Sequence, residues 1–585
     1  MKLARLTNWS NDNTLDCLLF FALRIRELVF DYTIDTFKYP ALNSTASCDE
    51  ALKLIDEIES KNITAKSLTP VIEELKWKIG KDDIVKNLVG DDLQSYLDFG
   101  NLEDLKSIKV KLELLHNKIE PYKYCRETEK ILLRLIEENK QKNKINSLCY
   151  NYISSLINLG ISQSFIYRVT NVIFFSDNAV DSIQKVSDFF KYFNREEESY
   201  LVILKCSELF KEITDSSLAF NCIILEKLDE EILKLDVKNF LKSIRRNEVY
   251  YLAQEVKTLD PLSAKIEAER RINKLAKLFV FFHHKKFPDW QSKALVINNK
   301  SKNTFLFDDK ISAMSKGADL KPKKAAIQLN KLIREFSLTR ESFTKYNRAI
   351  DLHGISIENK YIENQLLQNW IAFETLLVGY SNKSKIDQVI EHLVPFLKYR
   401  YIERIIKEFS KDLIRFDRKF FRTEITKIDV GENLIEKVTA LICLEEYKVN
   451  RLNYYNHLEK SPLLKWRLSK FHEYFSTAKS IGEFLQTHER KIIWQIKRMY
   501  RTRNLIVHAG IIPEYTETLV ENSHAYFDIL IKQMNDLSLN GHLIFTIQQA
   551  IEEIRIKVHR HEMTLKDDLN QPIDKSNFIK LMLNK

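Results

Sequence analysis

A chain of 585 residues is long enough for two to four domains with cores of their own, and an apolar fraction of 44% argues against wholesale disorder. The formal net charge of +10 permits a polyanionic partner without requiring one. Seven cysteines without a Cys-x-x-Cys pair cannot build a complete disulfide framework and fit a reducing cytosol. The run Leu18–Leu23 is broken by Arg24 and Arg26, well short of the ~20 residues of a membrane helix. No signal peptide is recognised, so the sequence reads as cytoplasmic, with no membrane partner.

The fold class expected is mainly α. Residues 1–185 carry apolar positions at helical spacing: Ile131, Leu132, Leu135 and Ile136, then Leu148, Ile153, Leu156 and Ile157, with Gly160 as a stop. Phe165–Phe175 is apolar but interrupted by Arg168 and Asn171, as in a buried helix. Between 186 and 324 the texture changes to short β-branched and aromatic runs at Tyr200–Leu204, Phe220–Leu225, Val249–Leu252, Leu295–Ile297 and Thr304–Phe307. A helix at Pro261–Leu278 lies among them, which gives a small mixed α/β middle domain. The polar stretch Lys310–Lys324, with Gly317 and Pro322, is the expected linker. From 325 to 545 the chain returns to helices, expected at Gln365–Gly379, Ile386–Phe409, Ala478–Ala509 and Thr516–Asp536. A further helix, Ile544–His559, leads into a C-terminal extension over 546–585.

Several chemistries are excluded. Gly80, Gly90 and Gly100 are too far apart for a phosphate-binding loop or a dinucleotide fingerprint. His472-Glu473, His488-Glu489 and His561-Glu562 each lack the second histidine of a zinc-protease helix. No Gly-x-Ser-x-Gly elbow exists, and His283-His284 has no further ligand at metal spacing.

What survives is one arginine–histidine constellation. Arg, then four to six residues, then His also occurs at Arg348/His353, Arg451/His457, Arg467/His472, Arg501/His508 and Arg555/His561, so spacing alone decides nothing. The helix before His508 supplies context. Ile492, Ile496 and Met499 form an apolar stripe that continues through Arg503 to Ile506, which places Arg503 on the packing face and requires a partner for it. A second stripe, Lys497, Arg501, Asn504 and His508, gathers two cations, an amide and an imidazole on one side. Gly510 and Pro513 then end the helix, so the dipole favours the imidazolium of His508. A histidine beside fixed cations suits general acid–base attack on a phosphodiester, and RNA brings its own nucleophile in the 2′-hydroxyl. A solvated basic face would carry the same residues without any chemistry.

Arg503-Asn504-Leu505-Ile506-Val507-His508-Ala509-Gly510 resembles the signature of HEPN ribonucleases: Arg, a polar residue, three mostly apolar residues, then His at a helix end. Leu366–Leu377, with Trp370 and Ala372-x-Glu374-x-Leu376, resembles the opening helix of such domains. The combination is similar to the ApeA-like HEPN group of bacterial anti-phage defence proteins, over roughly 345–540, with helices inserted around Arg415–Arg422. The resemblance implies a C-terminal HEPN helical bundle and a metal-independent endoribonuclease without cofactor, acting as a regulated toxin. His508 would be the acid–base residue, Arg503 the phosphate-orienting cation, Asn504 a polar support and Glu374 the carboxylate partner of Arg503. Arg501, Lys497 and Arg498 would contact RNA. The partners implied are RNA, a second copy in a homodimer that faces two motif helices, and a phage-derived trigger or inhibitory partner. The alternatives are a non-catalytic HEPN scaffold that binds RNA or a protein, and a helical interaction protein in which the Arg503/His508 pair is incidental.

Overall fold

A computed structural model describes residues 6–584 apart from 11, 30–38, 61–64, 101–103, 178, 194–195, 236–239, 241–243, 246, 309–312, 316–319, 380, 540–543 and 569–570. About 70% is helical, and among the described residues there is one five-stranded antiparallel sheet. Among the described residues no helix is long and apolar enough to cross a membrane. All seven cysteines are buried free thiols.

Two of the N-terminal helices reach the end of the chain's longest C-terminal helix. Helix α1, Ser44–Glu59, starts where the side chain of Asn43 accepts a hydrogen bond from the Ala46 amide. Helix α2 is Thr69–Gly80, with Pro70 in its first turn. The sheet comes from β1 Glu198–Ser207, β2 Cys222–Leu225, β3 Glu248–Thr258, β4 Trp290–Asn298 and β5 Thr304–Phe307, in the order β2-β3-β1-β4-β5. These are the strands expected from the β-branched runs: β1, β3 and β4 are longer than expected, β5 has the expected bounds, and β2 starts two residues later because Phe220 closes a 3-10 turn. Alternation sends Val202 and Leu204 into the large core that α3, Pro261–Phe282, also enters. Ile203 points to the opposite face, where Leu252 and Leu295 join Leu228 and Phe240.

The C-terminal half contains α4 Arg340–Glu358, α5 Ile362–Leu377, α6 Lys385–Lys398, α7 Tyr401–Phe416, α8 Ala478–Asn504, α9 Thr516–Ser538 and α10 Ile547–Asp567. The single helix expected at Ile386–Phe409 is two. Helix α6, with Pro395 inside it, ends at Lys398, and Arg400 turns left-handed at φ +54°. The carbonyls left open there are taken by Arg404, whose Nη1 donates to Tyr399 at 2.6 Å, and by Gln533, whose Nε2 donates to Phe396 at 2.9 Å.

Packing divides the molecule differently from sequence texture. One core runs from the N-terminal helices through the inner face of the sheet and on to Tyr401–Leu485, so it continues across the boundary expected at 185. A second core holds α4, α5, α6, α9, α10 and the latter half of α8. The range 325–545, expected as one bundle, is therefore shared between two cores, and α10 of the expected extension belongs to the second. Lys310 and Gly317 of the expected linker lie outside the described residues. Ala313 and Met314, between them, are buried against the second core, and Pro322 opens a helix reaching Glu335. Helix α8, about 40 Å long, inserts Ile481 and Leu485 into the first core and Ile492, Ile496 and Met499 into the second.

Candidate functional site

The motif lies at the C-terminal end of α8. A capping box, Thr477 with Ser480, starts this helix, and the apolar stripe Ile492, Ile496 and Met499 is buried as its spacing requires. The stripe then weakens, because Arg503 and Ile506 are only half-buried. At Leu505 the α-helix gives way to a π-turn, Leu505–Ala509, in which the Gly510 amide donates to the Leu505 carbonyl five residues back. Gly510 closes it in the left-handed region, at φ +67°. The helix expected to run unchanged to Ala509 is thus wound differently over its last turn, where β-branched Ile506 and Val507 weaken the α preference. His508 sits on this turn and is exposed. The wider turn means that His508 no longer follows the α-helical spacing that put it in line with Lys497, Arg501 and Asn504.

The structure separates the cations expected to bind RNA. Arg498 is buried and pairs with two carboxylates from the N-terminal region: its Nη2 lies 2.7 Å from Glu74 and 3.0 Å from Glu50, and its Nε donates to Glu50 at 3.2 Å. The exposed RNA-binding position expected for it is therefore not what the structure shows: its guanidinium is enclosed and paired. A guanidinium on this face needs a counter-charge, and α1 and α2 supply it. Arg501 also donates to Glu50, at 2.9 Å, and its side chain is 13% exposed. Burial pushes Glu50 and Glu74 upward, but Arg498 together with Arg501 at Glu50, and with Lys78 at Glu74, outweighs it and holds both carboxyls below the usual range. Lys497 is half-buried and has no ion pair among the described residues.

Glu374 does not meet Arg503. Its carboxylate accepts the Trp370 indole N–H at 2.7 Å, one turn back on α5, and faces Lys385 at 3.6 Å. The pairing expected from the resemblance is thus overturned: the indole donor of its own helix holds Glu374 in place. Arg503 instead donates from Nη1 to Asn504 Oδ1 at 3.0 Å, while its Nε is buried with no hydrogen-bond partner among the described residues. What the structure does bring together is α5 and α8, for Trp370 packs on Tyr500 with ring centroids 5.4 Å apart.

Beside the π-turn lies a cavity of about 730 Å³, lined by Asn43, Glu50 and Lys53 of the N-terminal region and by Arg501, Leu505 and Tyr515. Sequence reasoning missed Glu50 and Glu74 altogether. No local signal could have found them, because Glu50 lies 448 positions from Arg498 in the chain. No family model matches the chain, and no curated protein or solved structure matches it either.

Proposed function

We propose that the protein is a metal-independent endoribonuclease of HEPN type, held at rest by its own N-terminal region and released as a toxin when a phage-derived trigger loosens that hold. The observation that carries this reading is the exposed imidazole of His508 on a π-turn, one turn after the Arg503–Asn504 pair. π-turns inside helices are frequent at functional sites. On this reading His508 takes the proton of the RNA 2′-hydroxyl as that oxygen attacks the phosphorus, and the 5′-oxygen of the next nucleotide leaves. The products are a 2′,3′-cyclic phosphate and a 5′-hydroxyl, with a proton returned to the leaving oxygen. Arg503, half-buried and tied through Nη1 to Asn504, balances the charge that builds on the phosphate. A two-fold pairing of motif turns would bring the second imidazole such a transfer uses.

Arg501 gives the regulatory half of the reading. Glu50 occupies the place on its guanidinium that a phosphate oxygen would take. The same ion pair favours the second reading, a non-catalytic scaffold, because it withdraws Arg498 and Arg501 from RNA. One comparison separates the two. Wild type, Glu50→Gln and His508→Ala are incubated with total RNA in excess EDTA, and cyclic-phosphate ends are measured. The nuclease reading expects cleavage by wild type or Glu50→Gln, and a rate roughly 10²–10⁴-fold lower when His508→Ala is introduced into the same background. No cleavage by either of the first two proteins would leave the scaffold.

A further inference from the structure

Two helices of the second core bring together a group unrelated to the motif helix. His353 lies on α4, and His524 and Asp528 lie four residues apart on α9, hence on one face. One ligand atom from each lies within 4.8 Å of the other two. His524 Nε2 is 3.0 Å from Asp528 Oδ2, and its Nδ1 is 3.3 Å from the Met314 sulfur. His353 stacks on Phe527, with centroids 4.6 Å apart, and its Nε2 is buried with no hydrogen-bond partner among the described residues.

The proton arithmetic of this cluster is incomplete. Sulfur is an acceptor, so Nδ1 of His524 carries the hydrogen toward Met314. With Nδ1 so engaged, Nε2 presents its lone pair to Asp528 at 3.0 Å, and a cation between the two would satisfy both. A proton could serve that pair but would leave His353 Nε2 unserved. A metal ion serves all three. Bonds of 2.0–2.2 Å in a tetrahedral centre set ligand atoms about 3.3 Å apart, close to the His524–Asp528 separation and within the reach of the group.

We propose that His353, His524 and Asp528 form a binding site for a borderline divalent transition metal of the zinc class. Two imidazoles and one carboxylate suit such an ion, whereas calcium and magnesium prefer all-oxygen shells. The Asp528 side chain is 58% exposed, which opens a path for the ion and leaves the fourth position to water. Met314 accepts from the second nitrogen of His524 and so orients the ring, as partners behind a metal ligand commonly do. The ion would tie α4 to α9. It shares no residue with the Arg503–His508 turn, so it is compatible with chemistry there that uses no metal.

The test uses the full chain stripped with a chelator and titrated with zinc against a chromogenic competitor, with cobalt as a spectroscopic stand-in. Wild type should take up one equivalent at this site, show the intense visible bands of four-coordinate cobalt, and melt at a higher temperature with zinc than without. Asp528→Asn, altered at an exposed position that the fold tolerates, should lose at least tenfold in zinc affinity and lose the zinc-dependent rise in melting temperature. His353→Gln should do the same, and hydrogen exchange over 340–358 and 516–538 should slow with zinc in wild type alone. Equal zinc affinity in wild type and Asp528→Asn would overturn the proposal, as would magnesium protecting these helices as well as zinc.

Discussion

Arg498 and Arg503 lie on one helix five residues apart and meet opposite surroundings. Arg498 is 2% exposed between Glu50 and Glu74, so its removal takes the buried cation from between them and leaves Glu50 to Arg501 alone and Glu74 to Lys78 alone. Arg498→Ala should therefore destabilise the protein by about 3–5 kcal/mol, the usual cost of breaking one side of a buried pair. Arg503 donates to a neutral amide on the neighbouring residue and has no carboxylate partner among the described residues. Arg503→Ala should cost only about 1 kcal/mol of stability, while lowering RNA cleavage as strongly as a charge-stabilising donor does, roughly 10²–10³-fold. Thermal melts and cleavage rates on the same two variants check both halves. A melting temperature for Arg503→Ala as low as that for Arg498→Ala would mean that Arg503 is a packing residue after all.

Helix α1 meets α8 through Glu50, and α2 through Glu74 and the edge-to-face contact of Trp77 with Trp494, whose centroids are 5.3 Å apart. Glu50→Gln removes the counter-charge of Arg501 while Glu74 still pairs with Arg498, so the helices stay docked and one guanidinium is freed. RNA affinity should rise, and the dependence of log affinity on log salt should steepen by about one unit. Fluorescence titrations at four salt concentrations read this slope, and a slope identical to wild type would remove the restraint from the reading. The elements of this contact differ in how far sequence revealed them. The strands and the stripe Ile492–Ile496–Met499 were legible because period-two and period-3.6 burial are written locally. The break at Tyr399–Arg400 was half-written: Pro395 marks a weak helix, but the Arg404 and Gln533 bonds that stabilise the break come from elsewhere. The π-turn left no sign in apolar spacing. Glu50, Glu74 and the His353–His524–Asp528 group were illegible, since each depends on a docking of helices distant in sequence. Glu374 shows the converse: the residue sits on the expected helix, yet an indole one turn away took the carboxylate first.

At the scale of the whole molecule, α8 joins the two cores, and a neutral histidine lies buried midway along it. His488 stacks on Tyr401 with centroids 3.3 Å apart. Burial, then Arg404 and Lys491 nearby, push it well below its ordinary value. His561 of α10 is also pushed down, chiefly by burial. The linkage sign follows from which state takes up the proton. Above about pH 6.5 neither the folded nor the unfolded chain protonates these rings, and their contribution to stability is complete. As pH falls below that, the unfolded chain gains protons that the folded chain refuses, so stability declines toward the depressed folded values. Glu50 and Glu74 act later with the same direction. Their carboxyls are lowered in the fold, so the stability they confer is present above about pH 4.5 and is lost as pH falls below it. Acid unfolding should accordingly begin near pH 6.5 and steepen below 4.5. His488→Gln, which cannot titrate, should flatten the first limb between pH 7 and 5 without changing the second. Glu50→Gln should flatten the second and leave the first. Melting temperatures taken every half unit of pH decide the matter: if the His488→Gln slope between 7 and 5 equals that of wild type, the ring is already protonated in the fold or has water within reach, and the junction of the two cores is wetter than its packing implies.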